Sequence, residues 1–449
     1  MKTLKELDQV YRRMVFNPLF TKWRLKHTYA MGFYTGNNDI RSSVRTKLTD
    51  GKVDIFSCNL IAPTVNALLG TEIQNEYRIK VSVSNNTDEA RDFEDGINQY
   101  FCNLQNKPLF ENNIRMALKD AIIGGIGFVE IHYKNHEPLV DYINPLNIVI
   151  DFNDTTPYFD RQYQIVTWED LPKEEIKLRY GVNNYKKLEF KYNDEDYQYL
   201  SQIENRVSDT MCNCEYKNRV FTVRYLEVVT GWEGTLNDAE QDSEIIRTID
   251  PKFAVKLKKL SQVQVTIPFE AVICQGKVLK NEIVCPLVVN GQLPVIMMVC
   301  QKDEKSLPTG IVEQIIPLQE SFNISLSRNI SYANTTRTFI TLQNTNDREA
   351  LRDNVESVIA PNAVSVLSPG DKVDVVTPNN EVAQQRELMR ECSELIKRAS
   401  GVEDETKGIQ TNAVSGVAQR QRDISSLRTN AFIFNNFSIF KKRIGEMIY

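Results

Sequence analysis

The residues that could do chemistry in this chain are few, and spacing decides between the readings of each group. Gly124, Gly125 and Gly127, in IIGGIGFVEIHY, suggest a phosphate-binding loop. Such a loop needs a strand first and a helix second, so that the helix N-terminus meets the phosphate. Here a helical region precedes the glycines, so they are expected to turn a helix sharply into a core strand over residues 128–133. Asp151, Asp154 and Asp160 are candidates for a metal cluster. No histidine or paired-carboxylate motif accompanies them, and turn-forming acids are the better reading. Cys212-Asn-Cys214 is the only close pair among eight cysteines. A zinc site needs about four ligands, and His27, His132 and His136 stand far from the pair in sequence. Reduced thiols in a reducing compartment are expected, with no metal and no cofactor. The chain contains no G-x-x-x-x-G-K-S/T, H-E-x-x-H or nucleophile elbow, so no enzymatic activity is expected. What remains is a charged loop, GVEDETKGIQTNAVSG, which carries Glu403, Asp404, Glu405 and Lys407.

That loop lies between two helical patterns. Before it, Val382, Leu388, Met389, Cys392, Leu395, Ile396 and Ala399 recur at steps of three and four, one face of a helix. Gly401 stands where a left-handed C-terminal residue is usual. After it, Val414, Val417, Ala418, Ile424, Leu427, Ala431, Phe434 and Ile444 form a second stripe, opened by Arg420, Arg422 and Arg428. The final FKKRIGEMIY shows no C-cap or polar tail, so the chain is expected to stop inside a helix of a longer natural product. Upstream, Ile315, Leu318, Phe322, Leu326, Ile330 and Ala333 make a third stripe. Ser321, Asn323, Ser325, Ser327 and Asn334 are expected on its opposite, uncharged surface, and Pro317 should bend this helix or start a second one. Between these helices, residues 337–379 read as a small β-α-β unit.

The first 300 residues read as a mixed α+β body. Residues 1–78 look helical, with Asn59 as an N-cap, Pro63 in the first turn after it and Gly70 as a stop. YRIKVSVS, residues 77–84, alternates as a strand. VTWEDLPKEEIKLRYG suggests a helix begun by Thr167 or Asp170, with Pro172 in its first turn and Gly181 at its end. VFTVRYLEVVT, VQVTI, AVICQ, KVLKNEI and LPVIMMVCQ read as strands. Residues 182–218 form a polar excursion. A charged insertion with Lys252, Lys256, Lys258 and Lys259 reads as solvated, or as a contact with DNA or another subunit. Charged residues are 25%, hydrophobic residues 41% and the formal net charge is −5. That balance argues against a free-standing nucleic-acid binder, which uses clustered Lys and Arg. The chain opens without the apolar core of a signal peptide, and its longest apolar run, LPVIMMVC, is strand-sized; no membrane partner is expected.

The spaced word SGV-x(12)-SGVAQRQ resembles the C-terminal signature of tailed-bacteriophage portal proteins, the head-to-tail connectors, of the P22-like type. Other pieces fall in the same order: Phe33, Tyr34 and Gly36, then Asn59, Ile61, Pro63, Val65 and Gly70, then Gly310, Val312, Gln319, Asn323 and Ser327. Asn37 and Asn38 replace the group's Gln-Trp. Ile316 replaces its acid before Pro317, and Leu318 is an insertion. The resemblance implies an α+β portal fold: a wing body over 1–309, a stem helix over 311–335, a clip over 336–379 and a returning stem helix over 381–399. A tunnel loop over 400–416 and a long helix over 417–449 toward wing and crown complete it. It further implies a homo-oligomeric ring of about twelve subunits at one capsid vertex. Double-stranded DNA would be packaged through it by the terminase and later ejected, without sequence-specific binding.

The partners implied are the terminase large subunit, the major capsid and scaffolding proteins and a head-tail adaptor; the place is the virion, after assembly in the bacterial host cytoplasm. Glu403, Asp404, Glu405 and Lys407 would face DNA. Arg420, Arg422 and Arg428 would contact DNA or a neighbouring subunit. Ile315, Phe322, Leu326 and Ile330 would pack between subunits. The alternatives are another structural or adaptor protein of a phage or prophage, an enzyme, and a plain DNA-binding module.

Overall fold

The computed structural model describes residues 2–37, 40–50, 53–75, 78–83, 87–134, 137–186, 188, 219–233, 239–240, 257–258, 261–283, 292–334, 337–341, 372–376, 379–402 and 430–449. In chain order the elements are α1 (Leu4–Val15), α2 (Pro18–Thr35), α3 (Ser42–Asp50), α4 (Ile61–Asn75), α5 (Asp88–Gln105) and α6 (Pro108–Gly124). Strands β1 (Ile126–Lys134), β2 (Glu137–Ile143), β3 (Ile148–Val149) and β4 (Gln164–Asp170) follow, then α7 (Lys173–Tyr180) and α8 (Val182–Tyr185). Next come β5 (Arg219–Glu233), β6 (Ala239–Glu240), β7 (Leu257–Lys258), β8 (Ser261–Cys274), β9 (Lys277–Ile283), β10 (Val295–Val299), β11 (Gln301–Lys302) and β12 (Pro308–Thr309). The last are α9 (Ile311–Asn334), β13 (Arg337–Thr341), β14 (Lys372–Val376), α10 (Asn379–Ser400) and α11 (Ala431–Ile448). The chain is α+β and divides into two compact units. The first holds Met1–His27, Glu76–Gly310 and Phe432–Tyr449; the second holds Thr28–Asn75 and Ile311–Ala431.

In the first unit, local signals start the helices. Thr3 and Glu6 form a capping box at α1, Thr87 caps α5, and Pro108 opens α6. The glycines after α6 act as expected. Gly125 takes a left-handed φ of 90° and ends the helix, and β1 begins at the next residue. A Cβ on Gly127 would lie 1.9 Å from the Ala117 carbonyl oxygen, so only glycine lets β1 run this close to α6. β1 is the centre of an antiparallel sheet ordered β10-β1-β2. A second antiparallel sheet is ordered β3-β4-β5-β8-β9. Ile126 and Phe128 of β1 join Leu7, Tyr11, Met14, Phe20 and Trp23 of the first two helices, together with Val166, Phe221 and Tyr225, in one core. Trp23 Nε1 donates to the Gly124 carbonyl oxygen at 2.9 Å.

Three expectations here are corrected. VQVTI and AVICQ are one 14-residue strand, β8, passing through Pro268. Pro268 faces Leu226, whose N–H goes to Tyr163 O at 2.9 Å, so the missing donor removes no β5–β8 bond there. Thr167 lies within β4 and caps nothing; α7 starts after Pro172 and ends at Gly181, φ 83°. Residues 78–83 are extended but enter no sheet among the described residues. Side chains of α5 hold them instead: Ile79 N to Gln105 Oε1 at 2.8 Å, Val81 N to Asn98 Oδ1 at 2.9 Å, and Val83 N to Glu94 Oε2 at 3.1 Å. Asn98 and Gln105 also donate back, to the carbonyls of Val81 and Ile79.

In the second unit, α9 packs along α10 and against α4. Pro317 lies inside α9 without ending it, so no second helix starts there. Gly70 does not stop α4, which runs on to Asn75. β13 and β14 pair antiparallel, Phe339 facing Asp374. The helix expected between these strands lies outside the described residues.

Candidate functional site: the paired helices of the second unit

α9 is the element that positions everything else in this unit. Sequence spacing suggests a polar surface on it, and Ser321 is exposed as that predicts, but most of that face is not. Asn323, Ser325 and Ser327 are buried, with Gln319 and Glu320. The reason is an extended segment, residues 53–60, that runs antiparallel along the helix. Leu60 N donates to Gln319 Oε1 at 2.9 Å, and Gln319 Nε2 donates to Cys58 O at 2.7 Å. Cys58 N donates to Asn323 Oδ1 at 3.0 Å. Phe56 N donates to Ser327 Oγ at 3.0 Å, and that hydroxyl lies 3.1 Å from Phe56 O. The match is one of periods. Two extended residues advance roughly 6.5 Å, and four helical residues advance about 6 Å. Side chains at 319, 323 and 327 therefore meet backbone groups at 60, 58 and 56 in turn, satisfying polar groups that would otherwise be buried without partners.

The ends of this ladder are tied as well. Asn59 Oδ1 accepts from Ile61 N at 3.0 Å and Ala62 N at 3.1 Å, the N-cap its sequence position suggests. Its Nδ2 donates to the carbonyls of Phe33 and Tyr34 at the end of α2, both at 3.0 Å. Glu320 Oε1 accepts from Tyr29 OH at 2.8 Å and from Arg41 N at 3.1 Å, and Arg41 Nε lies 2.9 Å from Glu320 Oε2. Burial, and then the Glu320 carboxylate, push the Tyr29 phenol up to about 12; the same carboxylate raises Arg41.

α10 turns Cys392, Ile396 and Ser400 inward at four-residue spacing. Leu388 and Leu395 remain 45% and 38% exposed, so its apolar residues occupy two faces instead of the single stripe expected. Gly401 takes φ 63° at the helix end, and Val402 N returns to Lys397 O at 3.2 Å. Asn430 Nδ2 donates to Ser400 O at 3.0 Å. The chain thus leaves at Val402 and comes back to the same helix end at Asn430.

Glu403, Asp404, Glu405, Lys407, Arg420, Arg422 and Arg428 lie outside the described residues. Ile315 is fully buried and Phe322 is 9% exposed, while Leu326 and Ile330 are half-buried. The chain itself therefore covers Ile315 and Phe322, leaving Leu326 and Ile330 with surface to offer. The Gln319, Asn323, Ser327 ladder was missed by the surface reading of this helix. Its four-residue spacing was the signal, and the partner segment was the part no local pattern could supply.

The other candidate chemistry resolves into structure. Asp151 Oδ1 accepts from Asn153 N, and Asp154 accepts from Thr156 N, Thr156 Oγ1 and Arg161 N, as turn-forming acids do. Asp160 pairs with Arg443. Burial pushes His27 down to about 4, so it is neutral near pH 7. Among the described residues, no group of three or more His, Cys, Asp or Glu is placed to hold a metal. No helix there is long and apolar enough to cross a membrane. Cys212 and Cys214 lie outside the described residues.

Comparison with known proteins agrees with the motif resemblance. The family described as Phage P22-like portal protein matches over residues 19–449. A portal protein of Helicobacter pylori bacteriophage KHP30 is 22% identical over 408 residues, which is 89% of this chain and 58% of that protein. The chain thus spans less than two thirds of the length of that relative.

Proposed function

This chain belongs to the phage P22-like portal protein family, and we propose that it is the portal subunit of a tailed phage. It forms a ring of about twelve copies at one capsid vertex; the terminase large subunit packages double-stranded DNA through the ring, and the DNA later leaves by the same route. Residues 1–309 make the wing body, 311–335 and 381–399 the two stem helices, and 336–379 the clip. Residues 400–416 make the tunnel loop, and 417–449 the helix toward wing and crown. The remaining partners are the major capsid and scaffolding proteins and a head-tail adaptor, with assembly in the host cytoplasm; the role is structural, not enzymatic.

The observation that best supports this reading is the α9–α10 pair: two long helices packed side by side, with a charged segment that leaves the end of α10 at Val402 and returns to it at Asn430. Glu403, Asp404, Glu405 and Lys407 on that segment would face DNA. Arg420, Arg422 and Arg428 would face DNA or a neighbouring subunit. A pore must not grip what it passes, because affinity rises with each neutralised phosphate; a net charge of −5 suits that requirement. Asn323, Ser325 and Ser327 of α9 play no part in it, since the chain itself buries them. Leu326 and Ile330 remain as stem residues that could pack between subunits, with Ile315 and Phe322 supporting them from within.

Negative-stain electron microscopy of the purified chain tests the proposal. Rings with a central hole are expected. Compact particles without a hole at every concentration would remove the portal reading.

A further inference from the structure

We propose that the first unit carries the two complementary faces of a head-to-tail contact between copies of this chain: an acidic apolar face on α5 and a basic face on α1. The inference rests on the ring reading above and adds the residues that would close it.

The apolar stripe of α5 runs Phe93, Ile97, Tyr100, Leu104 at steps of three and four. Leu104 is buried, where α5 packs on α6. Phe93 and Tyr100 are 54% and 48% exposed, so the stripe outruns the helix it packs on. Glu89 and Asp92 are exposed beside it. The only cation in this helix, Arg91, points to another side, 4.0 Å from Asp88. The side of α5 opposite the stripe is not free for this contact, because Glu94, Asn98 and Gln105 hold residues 79–83.

α1 presents the opposite character. Lys5, Gln9, Arg12 and Arg13 are exposed on one side, and Phe16, 63% exposed, ends it. The acids of the helix are engaged elsewhere: Glu6 closes the capping box with Thr3, and Asp8 is buried and bound to Arg12 at 2.8 Å. Each face thus joins exposed aromatic surface to charge mostly of one sign, with Asp151 3.7 Å from Arg13 on one and Lys107, held by Glu137 at 2.7 Å, near Tyr100 on the other, and the prevailing signs are complementary.

Their placement suits a ring. α5 packs on α6, and α6 covers the face of β1 that carries Gly127. The other face of β1, with Ile126 and Phe128, shares its core with Leu7 and Tyr11 of α1. The sheet of β1 therefore lies between α1 and α6, and α5 belongs to the α6 side, so the two faces come from different sides of that sheet. A head-to-tail interface needs two different patches so placed.

The test uses two double variants of the chain. Glu89→Lys with Asp92→Lys reverses the first face. Lys5→Glu with Gln9→Glu reverses the second and leaves the Arg12–Asp8 and Arg13–Asp151 pairs intact. Negative stain and mass measurement should show rings for the unaltered chain and a roughly tenfold or greater loss of rings for each variant alone. An equimolar mixture should restore them, because each reversed face then meets a reversed partner; this also proves that both variants are folded. Rings from either variant alone, or failure of the mixture, overturn the inference and show that the α5 face is covered by something else. Absence of rings from the unaltered chain overturns the ring reading itself, and the inference with it.

Discussion

Glu130 shows how much a single buried charge can decide. It sits on β1 and pairs with Arg224 on β5, so one ion pair joins the two sheets of the first unit. Arg224 also lies 3.3 Å from Glu270 and donates to Thr167 Oγ1 at 3.1 Å, and Lys280 reaches Glu270 at 3.6 Å. Burial pushes Glu130 up to about 7; Arg224 opposes this, while Glu270, Asp141 and Glu169 add to it. An acid raised on folding holds its proton more tightly in the native chain than in the unfolded one. The stability it contributes is complete below its ordinary value of 4.5 and is lost as pH rises through about 7. Glu130→Gln should remove that slope. Calorimetry from pH 5 to 8 is expected to show the unaltered chain losing about 2 kcal/mol, a few degrees in midpoint, relative to the variant. Parallel curves would mean that Glu130 does not titrate in this window. Nothing in the sequence marks Glu130, because its environment is assembled from β1, β4, β5 and β8.

At the scale of elements, this chain twice uses the same device: an extended segment held by helix side chains in place of a neighbouring strand. Residues 79–83 lie on α5, and residues 56–60 lie on α9. The alternation of YRIKVSVS was legible and gave the extended backbone correctly. It could not tell a sheet partner from a row of amides, because both satisfy the same N–H and C=O groups. Asn323→Leu tests the second ladder. It leaves the Cys58 N–H without its acceptor and takes one acceptor, at 3.2 Å, from Gln319. Denaturant titration should show a loss of about 1–3 kcal/mol, with faster hydrogen exchange at Phe56, Cys58 and Leu60. Ser321→Ala, on the exposed side of α9, should stay within about 0.5 kcal/mol. Equal effects from both would mean that the ladder contributes nothing particular. The turn into β1 was legible for the opposite reason: three glycines within four residues dictate local geometry whatever surrounds them.

For the whole molecule, repetition is what matters. If the chain is a ring subunit, each charge on its DNA-facing loop recurs at every copy. Lys407, one cation beside Glu403, Asp404 and Glu405, is then the residue whose sign matters most. Lys407→Glu should leave rings intact in micrographs while lowering the yield or the length of packaged DNA. Packaged DNA of unchanged length and yield would take Lys407 out of the mechanism. Because phosphate contacts scale with the number of cations presented, a change of two charge units per subunit is large for the assembly and small for any one chain.

The sequence by itself determined that α9 and α10 are helices, the cap at Asn59, the glycine turn after α6 and the motif that places the chain in its family. All of these depend on neighbours a few residues apart. Only the tertiary structure decided what the polar faces do: that the α9 face grips residues 56–60 and that Glu130 is buried beside Arg224. A hydrogen bond is made to whatever lies about 3 Å away, and for these groups the partner comes from a distant part of the chain.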